Sequence, residues 1–252
     1  MVSPLQRTPP DRPGTAEHDW QVWGTTFPEF DPAKRPHHLV VVAPHPDDET
    51  LGAGGLMATC RARGIPVLPV AVTDGEASHP RHPSWTPKVL AAQRIEETRR
   101  ALATLGVTTT PIRLGLPDGA VTAHESALTA AIAGLLTDLG DGVWCATTWR
   151  RDGHPDHDAT GRAAAAACAS AGGRLLEFPL WMWHWAVPGD PTVPWTRARS
   201  VRLSPHCHRT KSAAIGHFRS QTESPPGDPD HPPVLGEHVL AHWRRTSETL
   251  FV

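Results

Sequence analysis

The sequence predicts an α/β fold: a mostly parallel sheet with helices on both faces, in a single domain. Three observations predict it. Short apolar runs rich in Val and without polar alternation recur, as at 38–43 (HLVVVA) and 142–148 (GVWCATT). Such a run marks a strand buried on both faces. Between the runs lie stretches with helical periodicity, 85–105 (WTPKVLAAQRIEETRRALATL) the clearest. Strands alternating with helices build parallel βαβ units.

The elements follow in order. Residues 1–36 carry many Pro and few periodic apolar residues. They read as an extended lead that wraps the domain or stays mobile, with the domain proper at 37–252. After strand 38–43, a helix over 49–63 ends at Gly64, a good residue for the left-handed turn past a helix. A strand over 65–72, the helix 85–105 closed by Gly106, a short strand at 111–114 and a helix over 125–139 come next. Strand 142–148 precedes an alanine-rich helix, 160–171, closed by Gly172 and Gly173. Residues 175–180 form a strand, and 181–185 (WMWHW) continues it, so Trp181, Trp183 and Trp185 share one face. Residues 200–203 read as an edge strand, 210–221 as a helix, 224–233 as a loop and 235–251 as a closing helix.

Composition narrows the function. Lys plus Arg number 24 and Asp plus Glu 26, a net charge of −2. That balance argues against a nucleic-acid binder working by phosphate neutralisation. No run of 18 apolar residues exists, so no membrane-spanning helix is expected. The first 20 residues lack the apolar segment of a signal peptide, and a cytoplasmic protein is expected. Cys60, Cys145, Cys168 and Cys207 form no C-x-x-C pair and read as reduced thiols; Cys60 and Cys168, in apolar helical stretches, read as packed. The chain has 16 His and no Tyr, so phenol chemistry is absent and imidazole is abundant.

Two His/Asp clusters each directly follow an expected strand: Pro44-His45-Pro46-Asp47-Asp48-Glu49 and Asp152-Gly153-His154-Pro155-Asp156-His157. Ligands of open parallel sheets bind outside the carboxyl ends of the strands, so loops a hundred residues apart can converge there. Imidazole and carboxylate suit zinc and other divalent transition ions. His45 and Asp48, and likewise His154 and His157, stand three apart where a loop enters a helix. Three ligands from this set plus water make an open catalytic site, with a carboxylate left over as base. Each loop alone also fits a turn and a helix cap. Their equivalent placement after two strands favours a metal.

These residues resemble the PIG-L/LmbE-like zinc deacetylases, which remove acetyl from N-acetylglucosaminyl groups; relatives hydrolyse thiol-conjugate amides. The resemblance rests on the paired HPDDE and HPDH strings. It extends through Thr73-Asp74-Gly75-Glu76, Arg94-Ile95-Glu96-Glu97, 114–119 (LGLPDG) and 211–221. It implies a metal, Zn²⁺ or another divalent ion such as Fe²⁺, held by His45, Asp48 and His157. Asp47 is then the general base and later the acid. His154, in protonated form, stabilises the oxyanion, with Asp156 orienting or charging it. Arg94 and Asp118 match positions that bind sugar substituents, and the partner is a small amino-sugar conjugate. Some sugar deacetylases of the family carry Tyr where this chain has Asp152, so here the metal and His154 must polarise the carbonyl alone. The rivals are an amidase acting on a non-sugar amide, a non-catalytic metal- or sugar-binding module, which would not need Asp47, and, more remotely, a nucleotide-binding reductase.

Weaker signals remain. Gly52-Ala53-Gly54-Gly55 lacks dinucleotide-loop spacing and reads as close helix–sheet packing. His206-Cys207-His208 would put two ligand side chains on one face of a strand. The Trp row fits either a core or a substrate wall. Residues 79–83 (HPRHP) read as a surface loop beside the site, and His217 and Gln221, four apart on a helix, either reach the cleft or lie on the helix surface.

Overall fold

In the computed structural model the described residues are 3–30, 36–80, 82, 85–225, 227–228 and 230–252. Parts of the lead and of the 79–83 loop (residues 1, 2, 31–35, 81 and 83) lie outside them, as do 84, 226 and 229. The strands are β1 (His38–Ala43), β2 (Val67–Ala71), β3 (Ile112–Arg113), β4 (Val143–Thr148), β5 (Arg174–Phe178), β6 (Ala198–Arg202) and β7 (Ser247–Phe251). They form one sheet in the order β3-β2-β1-β4-β5-β7-β6. The first five pair parallel, while β7 runs antiparallel to both β5 and β6.

The run HLVVVA shows why the sheet is covered on both faces. Leu39 and Val41 enter one core with Trp144 and Ala146 of β4. Val40 and Val42 enter the other with Val143 and Cys145. The first core is roofed by α3 (Asp48–Ala62), with α4 (Pro87–Thr104) and α8 (Pro205–Ile215) packed beside it; α5 (Glu125–Leu139) and α6 (Pro155–Ala171) cover the second. The glycines of α3 serve that packing: a Cβ on Gly52 would run into the Phe178 ring, and one on Gly55 into Leu203. All four cysteines are free and buried. Among the described residues no helix is long and apolar enough to cross a membrane.

The lead is not extended throughout. It carries α1 (Pro4–Arg7) and α2 (Glu17–Trp23), and Leu5 and Trp20 are buried against the sheet domain. The Trp20 indole N–H donates to the Trp183 carbonyl at 2.9 Å, and Glu29 bridges Ser200 beside β6.

Three expectations in the last third fail. Residues 181–185 do not extend β5; the chain curls into α7 (Met182–Trp185). The Asp152 carboxylate draws in the N–H groups of Leu180, Trp181 and Met182, which a strand would have offered to a neighbour. The expected closing helix is α10 (Glu237–Trp243) followed by strand β7. The helix expected at 210–221 begins at Pro205, with Ser204 as its cap, and breaks before α9 (Arg219–Thr222). His206, Cys207 and His208 therefore lie on a helix, and the shared-face argument for metal binding there lapses.

Candidate active site

The sheet reverses its winding between β1 and β4, and both His/Asp loops leave the carboxyl ends of those two strands. The crevice at such a reversal is where open α/β sheets take ligands.

The first loop is tight and clamped. Asp47 caps α3 with φ 123°, a region that L residues rarely occupy. Its N–H donates to Glu49 Oε2 at 3.1 Å, and its carbonyl accepts from Thr50 and Leu51. Arg94 of α4 holds the turn from below. Its Nη2 donates to the Pro46 carbonyl at 2.6 Å and to Asp47 Oδ2 at 3.1 Å, and its Nη1 to the Gly75 carbonyl at 3.0 Å. Gly75 is required at this spot, because a Cβ would overlap the guanidinium and its φ is +67°.

The second loop rests on Asp152, which is fully buried. Its Oδ1 accepts from Leu180 and Met182, and its Oδ2 from Trp181. That same Oδ2 lies 2.9 Å from His157 Nδ1. His154 caps α6, its Nδ1 accepting the Asp156 N–H at 3.2 Å. Nδ1 is therefore unprotonated, and Nε2 is the ring's donor.

The loops meet at Asp48. Its Oδ2 lies 3.1 Å from His45 Nδ1 and 3.3 Å from His157 Nε2. The other nitrogen of His45, Nε2, lies 3.2 Å from Asp118 Oδ1 and 3.3 Å from Asp156 Oδ2. The rings of His45, His154 and His157 pack with centroids 4.8–5.3 Å apart. Ring nitrogens of these three histidines gather within 4.8 Å of one another, as do donor atoms of His45, Asp118 and Asp156.

Burial and crowding split the acids. Burial pushes the Asp47 carboxyl up to about 8; Arg94 pulls it down, while Asp48 and Glu49 add to the rise. Burial would also raise Asp48, but the neighbouring His157 and His45 hold it well below the carboxylate range. Burial opposes charge on His157, yet Asp48 and Asp152 lift it to about 9. His45 rises for the same reason, through Asp118, Asp156 and Asp48. Burial, reinforced by His157 and His45, drops His154 to about 3.

Nδ1 of His154 accepts and burial opposes charge on the ring, so the group that His154 can offer to the cavity is its Nε2–H. The link from Asp156 to His154 runs through its backbone N–H; its carboxylate accepts from Gly119 and Val121 and faces His45. Asp118 faces His45 as well, and Arg94 is engaged by Asp47 and two carbonyls.

A cavity of about 300 Å³ opens over the cluster. Asp47, Arg94, Asp118, His154 and Gln221 form its polar floor. Leu180, Trp181, Leu235 and Trp243 form an apolar wall, completed by Leu5 and Pro10 of the lead. Of the expected Trp row only Trp181 faces the cavity. Trp183 packs edge-on against Trp20 at 5.0 Å, and the Trp185 indole donates to the Asp152 carbonyl at 2.6 Å. His217 is turned away to Thr104. The sequence reading missed the anchoring by Asp152, although its place five residues before His157 was a signal. It also missed Trp243, Leu5 and Pro10, which come from distant segments without a motif.

Fold and site together define a class: a doubly wound α/β protein with a buried His/Asp centre at the reversal of its sheet. The family model described as GlcNAc-PI de-N-acetylase matches residues 40–168, and the chain belongs to this PIG-L family. It is 32% identical over 186 residues to the 1D-myo-inositol 2-acetamido-2-deoxy-alpha-D-glucopyranoside deacetylase of Rhodococcus opacus (strain B4), covering 64% of this chain and 59% of that protein. It is 31% identical over 140 residues to the "Probable N-acetyl-alpha-D-glucosaminyl L-malate deacetylase 2" of Bacillus anthracis, covering 54% and 62%. The chain thus spans about three fifths of the length of these curated relatives. Among solved structures it is similar to the conserved protein TT1542 from Thermus thermophilus, with 29% identity, a TM-score of 0.54 and coverage of 73% and 79%.

Proposed function

We propose that the chain is a metal-dependent hydrolase that removes the acetyl, or another acyl, group from the amine of an N-acetylglucosamine-type sugar or conjugate. One observation carries this reading: Asp48 Oδ2 sits between His45 Nδ1 and His157 Nε2, directly beside the buried Asp47, on the floor of an open cavity. The names of the relatives point the same way.

The residues fit a divalent ion, Zn²⁺ by preference. His45, Asp48 and His157 offer two imidazoles and a carboxylate, a set known from catalytic sites with one open position. Each imidazole turns its second nitrogen to a carboxylate: His157 to Asp152, His45 to Asp118 and Asp156. Such outer partners fix the tautomer and raise ligand basicity. Asp118 and Asp156 are assigned here as positioning groups for His45. When bound, the ion supplies Lewis acidity, an acidified water and a positive charge that draws Asp47 back toward its ionised form.

The protein's own groups do the rest. Arg94 anchors Asp47 Oδ2 and leaves Oδ1 to take a proton from the attacking water and return it to the departing amine. His154 Nε2–H donates to the oxygen that gains charge as the amide carbon becomes tetrahedral. With no phenol in the chain, this imidazole is the side-chain donor assigned to the task. The apolar wall excludes water and receives whatever is attached beyond the sugar.

A second reading, an amidase for a non-sugar amide, is favoured by that wall of Leu180, Trp181, Leu235 and Trp243. One screen separates the two. Metal-loaded and chelated protein are incubated with N-acetylglucosamine conjugates and with non-sugar amides, and released carboxylate is measured. Metal-dependent acetate from the sugar conjugates is expected. Release from non-sugar amides alone overturns the sugar reading, and no release from any substrate overturns hydrolysis.

A further inference from the structure

Beside the cavity mouth, outside the centre just described, three histidines from two loops face one another around an aspartate. His79 and His82 come from the loop before α4, and Asp228 and His231 from the loop before α10. We propose that His79, His82, His231 and Asp228 form a second divalent-metal site that ties these two loops together.

The ring nitrogens carry the argument. His79 is 4% exposed, and so is the His82 side chain. His79 Nδ1 is engaged by Ser78 Oγ at 3.1 Å, while its Nε2 has no hydrogen-bond partner among the described residues. Both ring nitrogens of His82 are equally without one. Buried imidazole nitrogens normally find a partner, and a metal ion is the partner that neutral imidazoles best satisfy. The engaged Nδ1 of His79 is the outer contact that leaves the other nitrogen to ligate.

Donors from the opposite loop are within reach. Asp228 Oδ2 lies 3.9 Å from His82 Nε2 and 3.9 Å from His231 Nδ1. The His231 ring stands 6.1 Å from that of His79 and 5.9 Å from that of His82, centroid to centroid. Donors of a tetrahedral zinc shell with bonds of about 2.0–2.1 Å stand about 3.3 Å apart. No three of these four donors yet lie within 4.8 Å of one another, so beyond the roughly half ångström needed at the two Asp228 contacts, at least one further pair must close by more than about 1 Å around an ion. Asp228 and His231 have the freedom to do so, with side chains 44% and 46% exposed. Trp85 backs the buried pair, its ring 4.5 Å from His79. Three imidazoles and one carboxylate suit zinc, nickel or copper over calcium or magnesium. Both loops also line the cavity, through Ala77 and Ser78 on one side and Val234 and Leu235 on the other. An ion here would fix the width of the cavity mouth.

The experiment is a metal count. The full chain, untagged and stripped of metal, is titrated with Zn²⁺ alone by calorimetry, and bound zinc is then measured after gel filtration. Wild type, His231→Ala, Asp228→Asn and His157→Ala are compared. The first two substitutions are at exposed side chains and leave folding intact. One equivalent should disappear in His231→Ala, with affinity for it weakened in Asp228→Asn, and it should persist in His157→Ala. The inference falls when His231→Ala and Asp228→Asn both bind as much zinc as wild type with the same affinity. Loss of an equivalent in His157→Ala alone concerns the catalytic centre and overturns the second site.

Discussion

Replacing Asp152 by Asn changes almost no volume, yet it removes the charge on which the N–H groups of Leu180, Trp181, Met182 and His157 converge. The amide has one acceptor oxygen and one donor nitrogen. Placed at Oδ1, the nitrogen opposes the donors of Leu180 and Met182; placed at Oδ2, it opposes those of Trp181 and His157. Either way two hydrogen bonds to a buried charge are lost. At about 1.5–3 kcal/mol each, the cost is about 3–6 kcal/mol. A chain of this size loses about 2–4 °C of melting temperature per kcal/mol, so the metal-free variant should melt roughly 6–24 °C below wild type. Metal affinity should fall about 10–100-fold, because His157 loses the partner that fixes its tautomer. Differential scanning calorimetry of the stripped protein and a zinc titration read the two effects separately. A variant that melts within about 2 °C of wild type and binds zinc normally would refute the claim that Asp152 holds both the turn and the ligand.

Asp47→Asn should lower kcat about 10²–10⁴-fold with metal content retained, as for loss of a general base; loss of metal instead would make Asp47 a ligand. Trp183→Ala should cost about 3–5 kcal/mol of stability, as for a buried aromatic in a core, with no change in substrate preference. Trp181→Ala should raise KM for large conjugates and spare free N-acetylglucosamine. Equal losses on large and small substrates would remove Trp181 from the wall. Glu17 gives a pH test. Burial opposes its charge, but hydrogen bonds from His242 and Arg245 bring its pKa from 4.5 down to about 2. A depressed carboxyl stabilises the fold above the unfolded value and loses that contribution as pH falls from 4.5 to about 2. Discounted for solvent screening, the contribution is on the order of 1–2 kcal/mol. Glu17→Gln should therefore be less stable than wild type at pH 7, with the gap closing toward pH 2. A gap independent of pH in denaturant titrations would contradict this.

What could be read in the sequence was what is encoded locally. HLVVVA announces a strand because each of its Val side chains is buried, whichever face it lies on. HPDDE and HPDH announce the site because capping, turn and ligation fall within six residues of one another. The carboxyl third escaped because its structure depends on distant partners. WMWHW has the residues of a strand, but Asp152 takes its amides from some thirty positions away. SETLF reads as the tail of a helix whose apolar spacing it continues. It is a strand because β5 and β6 leave a slot between them, and no local signal records that slot. The cavity wall was hidden for the same reason, since Leu5, Trp181 and Trp243 meet only in three dimensions.

Asp47 combines a backbone conformation at φ 123° with a buried acid. Such strain costs on the order of 1–3 kcal/mol. Glycine adopts this conformation freely, at about 0.5–1 kcal/mol in unfolded-chain entropy. At this residue, therefore, backbone and side chain have opposite preferences. Glycine at 47 would relax the backbone but leave the buried Arg94 guanidinium without this carboxylate, a loss of about 3–5 kcal/mol, so the ion pair holds the strained acid in place. Consensus or stability-guided redesign of this chain needs position 47 held fixed, because the substitution that the backbone prefers is the one that the reaction cannot tolerate.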